Sequence, residues 1–206
     1  MRRIRGRRQA SIFRVFSVFR GQSALQTRAQ FVVRLSLKLA DNTSMRYVMK
    51  QKWLSWGTDF TIQDSEGTDR FHVDGAALSF GNKLSFQDMA RNELAFISQK
   101  LLSWGPTYEI YRQDRLVAVV KKEVFTFFRC KFTVDVPGPD DLEAQGDFLD
   151  REYSFSRGNE VVASVSKKWF KWTDTYGIDV TPGNDDVLIL ASAVVIDLAC
   201  HNGKRR

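Results

Sequence analysis

Asn184-Asp185-Asp186-Val187-Leu188-Ile189-Leu190-Ala191-Ser192-Ala193-Val194-Val195-Ile196-Asp197-Leu198-Ala199-Cys200 is the stretch on which the fold turns. Asn184 suits a helix N-cap, and Asp185 and Asp186 favour the positive end of a helix dipole. The residues that follow are apolar on every face, and such a helix must be buried all round. The sixteen residues from Asp185 to Cys200 span about 24 Å as a helix, short of the roughly 30 Å hydrocarbon core of a bilayer. Asp197 would also sit inside the lipid. The frequent Val and Ile leave a buried strand as another reading. The favoured expectation is a helix enclosed by the rest of the domain.

The preceding sequence supplies the enclosure. Four segments share one pattern: Gln51-Lys52-Trp53-Leu54-Ser55-Trp56, Gln99-Lys100-Leu101-Leu102-Ser103-Trp104, Lys121-Lys122-Glu123-Val124-Phe125-Thr126-Phe127-Phe128 and Lys167-Lys168-Trp169-Phe170-Lys171-Trp172. Each last aromatic is followed four residues later by another aromatic and, two further on, an aliphatic: Phe60/Ile62, Tyr108/Ile110, Phe132/Val134 and Tyr176/Ile178. The second lysines are spaced 48, 22 and 46 residues apart, so position 52 relates to 122, and 100 to 168, by about 70. Such self-similarity implies two β halves of similar layout. Period-two alternation marks half-buried antiparallel strands: Val161, Ala163 and Val165 against Ser164 and Ser166, then Tyr176, Ile178 and Val180 against Gly177 and Asp179. Turn signals at Ser65-Glu66-Gly67, Asp74-Gly75, Gly81-Asn82, Gln113-Asp114, Pro137-Gly138-Pro139-Asp140, Arg157-Gly158-Asn159 and Pro182-Gly183-Asn184 divide the chain into about ten to twelve strands. A sheet of that size closes or folds over to hide its edges. The fold class is therefore mainly β, a closed antiparallel barrel around a central hydrophobic C-terminal helix.

Charge separates the barrel from what precedes it. Residues 1–44 carry ten basic groups and one acid, a net of +9, whereas the remaining 162 residues carry 21 basic and 23 acidic groups, a net of −2. The basic character, which would otherwise suggest nucleic acid, belongs to the extension, and no nucleic-acid partner is expected. The opening MRRIRGRRQASIFRVFSVFRG fits a mitochondrial-type presequence or a basic amphipathic membrane helix. The favoured reading is a non-native extension ahead of a true start at Met45, where the repeat pattern begins. Phe31, Val33, Leu35, Leu37 and Leu39 alternate with Val32, Arg34, Ser36 and Lys38 and could add an edge strand. The organisation expected is an extension over 1–44, a domain over 45–202 and a basic tail over 203–206. Cys130 and Cys200 form no metal or disulfide pattern, which fits a reducing, cytoplasmic setting and a monomer.

The chain resembles the LURP-one-related family, with the tubby C-terminal fold and, more distantly, the phospholipid scramblases. The likeness is carried by Tyr47-Val48-Met49-Lys50-Gln51-Lys52, Asp74-Gly75-Ala76-Ala77-Leu78-Ser79-Phe80-Gly81, Leu84-Ser85-Phe86-Gln87-Asp88, Leu101-Leu102-Ser103-Trp104-Gly105-Pro106-Thr107-Tyr108, Phe132-Thr133-Val134 and Asp185 to Leu198. It covers residues 45–202 in a compact, prokaryotic-like form. The resemblance implies a barrel of about twelve strands threaded by a hydrophobic helix. The tubby likeness also implies binding to phosphoinositides, hence to a membrane periphery, although no tubby lipid-binding residue transfers onto a position here.

No catalytic constellation stands out. His72 and His201 are the two histidines, and of these only His201 adjoins a cysteine, Cys200; neighbours on a helix point in different directions. Asp140, Asp141, Glu143 and Asp147 read as one loop without the glycine-turn spacing of an EF-hand. No phosphate-cradling glycine loop or G-x-S-x-G elbow appears. Neither an enzyme, a metal nor a cofactor is expected. What remains is cationic: Lys121, Lys122, Arg129, Lys131, Lys167, Lys168 and Lys171, interleaved with Phe125, Phe127, Phe128, Trp169 and Trp172. Basic residues among aromatics suit an anionic phospholipid or membrane surface. The plainer reading, and the favoured one for these residues, is solvated strand faces with lysines guarding edges. A module that binds another protein is the alternative function.

Overall fold

The computed structural model describes residues 44–51, 59–75, 82–123, 131–168 and 175–201. Twelve antiparallel strands run in chain order: β1 (Met45–Gln51), β2 (Phe60–Asp64), β3 (Asp69–Gly75), β4 (Lys83–Asp88), β5 (Glu93–Gln99), β6 (Thr107–Arg112), β7 (Arg115–Lys122), β8 (Lys131–Asp135), β9 (Leu142–Asp147), β10 (Glu152–Arg157), β11 (Glu160–Ser166) and β12 (Thr175–Val180). Each pairs with its sequence neighbours, and β1 pairs with β12 (Tyr47 opposite Ile178, Met49 opposite Tyr176) to close the barrel. Closure removes the sheet edges that would otherwise recruit other chains.

The period-two pattern explains the filling. Phe60/Ile62, Tyr108/Ile110, Phe132/Val134 and Tyr176/Ile178 are all buried. They are the first inward positions of β2, β6, β8 and β12, so the repeated aromatic–aliphatic pair marks a strand returning into the barrel. The helix α1 (Asp186–His201) runs down the middle, and every side chain from Ile189 to Leu198 is buried. Lys52 lies outside the described residues. The other repeat lysines follow β5, end β7 and follow β11, so the 70-residue offset reflects two six-stranded halves.

Three sequence expectations shift. Asp185, not Asn184, caps α1: its Oδ1 accepts the Leu188 N–H at 3.1 Å and its carbonyl accepts the Ile189 N–H at 3.0 Å. Asn184 instead donates to the Thr181 carbonyl and accepts from Arg157. In β11 the register shifts at Phe155/Ser156 of β10, with Ala163 opposite Phe155 and Val161 opposite Ser156. Val162 is the bulged extra residue, so it enters the core while Val161 turns outward, 53% exposed. Simple alternation puts Val161 on the same face as Ala163 and Val165, and the bulge parts them. Finally, the acids read as one loop are spread along a strand. Asp140 and Asp141 precede β9, Glu143 lies within it, and Asp147 at its far end accepts the Leu149 and Asp150 N–H groups.

Candidate binding rim

Alternate strand directions give the barrel two rims. At the entry rim α1 begins, and the β2–β3, β4–β5, β6–β7, β8–β9 and β10–β11 turns lie there. At the exit rim α1 ends, and the other connections lie there. The described basic residues sort between them by type, Arg151 apart. All the described lysines, Lys50, Lys83, Lys100, Lys121, Lys122, Lys131, Lys167 and Lys168, stand at or next to a strand end on the exit rim. Arg46, Arg70, Arg91, Arg112, Arg115 and Arg157 stand on the entry rim, beside Glu66, Asp114, Asp140, Asp141, Asp179, Asp185 and Asp186.

The entry rim is closed by forked ion pairs. Arg46 donates twice to Asp179, at 2.7 and 2.8 Å, and Arg112 twice to Asp185, both at 2.7 Å. This two-pronged geometry belongs to guanidinium and is not open to lysine. Desolvation disfavours the Asp185 carboxylate, but Arg112 and the Leu188 N–H outweigh it, and the group titrates below its ordinary value. Tyr47 donates to Asp186 at 2.7 Å, and burial together with that bond raises its phenol. These bonds fix the first turn of α1 in the barrel mouth.

The exit rim is looser. Of the residues singled out from sequence, Lys121, Lys122, Lys131, Lys167 and Lys168 are brought to this one rim; Arg129, Lys171 and the interleaved aromatics lie outside the described residues. Lys121 pairs with Asp135, and Lys131 with Glu143 at 2.7 Å and Glu123 at 3.7 Å. The Glu143 bond lifts the Lys131 ammonium above its usual value, and Lys131 in turn lowers Glu143. Lys168 approaches Glu152 at 3.6 Å. Desolvation works against the Glu152 carboxylate, but Ser166 and the Lys168 and Lys167 N–H groups outweigh it and hold it low. Lys122 turns inward, its Nζ 6.0 Å from the Phe132 ring centre. Lys50, Lys83 and Lys167 pair with no carboxylate among the described residues. Sequence reasoning missed Lys50, Lys83 and Lys100; the signal was that five of the six alternate connections carry a lysine at or next to an end, the exception being β9–β10, which ends on Arg151.

Beneath this rim a buried ion pair anchors the end of α1. Arg151, in the β9–β10 turn at a φ of 55°, donates to Asp197 at 2.7 Å and lies 4.9 Å over the Tyr176 ring. Burial raises the phenols of Tyr153 and Tyr176 well above their ordinary values, so both stay protonated.

A closed twelve-stranded antiparallel barrel, plugged by its C-terminal helix, defines the class. Residues 45–197 match the model of the LURP-one-related family, and the chain belongs to that family. A curated relative, the Bacillus subtilis (strain 168) "Uncharacterized protein YxjI", is 35% identical over 154 residues, covering 75% of this chain and 93% of the relative. The X-ray structure of an Arabidopsis thaliana protein superposes with a TM-score of 0.58 at 18% identity, covering 76% of this chain and 91% of the other. At that identity the likeness speaks for the fold alone. No helix among the described residues is long and apolar enough to cross a membrane.

Proposed function

We propose that this is a non-catalytic binding domain whose exit rim takes an anionic phospholipid surface. The observation that carries it is the sorting of charge: all the described lysines gather at one rim, whereas the exposed arginine–carboxylate forks, Arg46–Asp179 and Arg112–Asp185, stand at the other, and only the buried Arg151–Asp197 pair among the described residues lies beneath the lysines. An ammonium is a mobile point charge that follows lipid phosphates at about 1 kcal/mol each near the surface. The exit-rim pairs are exposed or half-buried, and an exposed pair is worth roughly 0–1 kcal/mol, so exchanging its carboxylate for a phosphate costs little. Those same pairs favour a second reading, a protein-interaction module, because they already neutralise part of the rim.

Co-sedimentation of residues 45–206 with phosphatidylserine-containing vesicles separates the two. The first 44 residues must be absent, since their +9 would drag any cargo to acidic lipid. Binding to acidic but not neutral vesicles is expected, weakening with salt. Lys83→Glu with Lys167→Glu should abolish it with little change in melting temperature, since neither breaks a described ion pair. A domain that ignores acidic vesicles at low salt leaves the protein-interaction reading.

A further inference from the structure

The β5–β6 connection, residues 100–106, is where the exit rim turns apolar. Leu101 is 61% exposed, Leu102 95% and Trp104 98%. Single exposed leucines are ordinary, but a leucine and a tryptophan bared almost completely at one tip are an apolar patch with a purpose. The backbone holds them there. Ser103 Oγ lies 3.0 Å from the Lys100 carbonyl and 2.9 Å from that of Gly105, and the Lys100 N–H donates to the Thr107 carbonyl at 2.9 Å. The Lys122 N–H donates to the Pro106 carbonyl at 3.1 Å, and Gly105 supplies the left-handed φ of 93° that the bend needs. Lys100 and Lys121 flank the tip.

An apolar tip flanked by ammonium groups is complementary to a surface with anionic headgroups outside and hydrocarbon beneath. Tryptophan settles at headgroup depth, and aliphatic side chains reach the acyl boundary. We infer that Leu102 and Trp104 enter an acidic bilayer and stand the barrel on its exit rim, with α1 steeply inclined to the membrane. This rests on the anionic-surface reading and deepens it. The test uses the full chain with Trp53, Trp56, Trp169 and Trp172 replaced by Phe, so that Trp104 alone of the five tryptophans reports, and vesicles of acyl-brominated phosphatidylcholine and phosphatidylserine. Quenching is the readout, because the +9 of residues 1–44 sediments with acidic lipid whatever the rim does. Trp104 should be quenched on acidic vesicles, and Leu102→Ser should lower that quenching severalfold at an unchanged melting temperature. A protein that sediments with Trp104 unquenched overturns insertion. The charge reading is judged apart, by the co-sedimentation of residues 45–206, and a domain that ignores acidic vesicles there overturns both.

Discussion

Asp197 shows how much one residue can hide from sequence reading. Within an apolar run it argued against a bilayer, but its partner lies 46 positions away on a turn with a left-handed backbone. No periodicity announces such a pair, because Arg151 sits between strands. The same holds for the bulge at Val162, where one extra residue reverses the alternation that had been read correctly up to that point. Asp197→Ala should destabilise the domain by about 3–5 kcal/mol, since it strands a guanidinium that is barely exposed. Chemical denaturation checks it; a loss under about 1 kcal/mol would mean that Arg151 finds water instead.

At the scale of elements the reading was more secure. Helix α1 was legible because the run from Val187 to Cys200, apolar but for Ser192 and Asp197, must be buried all round, and the strands because their inward residues recur every second position. The cap missed by one position, since Asn184 and Asp185 are both good caps and only the tertiary pull of Arg112 and Arg157 separates them. Val194 lies at the centre of α1, fully buried. Val194→Asp should cost several kcal/mol against a typical total of 5–15, giving insoluble or molten protein. A soluble variant with a cooperative thermal transition would sink the account of α1 as the barrel's core. The candidate rim was half legible: the lysines stood out, but their gathering on one rim needed the strand directions.

For the whole molecule, closure decides what the extension can contribute. β1 is bonded to β2 on one side and to β12 on the other, so the described barrel has no vacant edge for the alternating segment 31–39; that segment itself lies outside the described residues. Residues 45–206 should therefore melt cooperatively within a few degrees of the full chain by calorimetry. A much earlier transition would show that the extension completes the fold. Closure also has a consequence for biosynthesis. The strands leave the ribosome first and α1, which fills them, leaves last. Until Asp186 and the residues after it emerge, twelve strands carry an apolar inner face with nothing to cover it. A ribosome stalled near codon 186, or a premature stop there, would release a chain with every hairpin and no core. Such a chain is a substrate for holding chaperones and proteases, so for this protein the codons of α1, 186–201, decide whether those of the strands were worth translating.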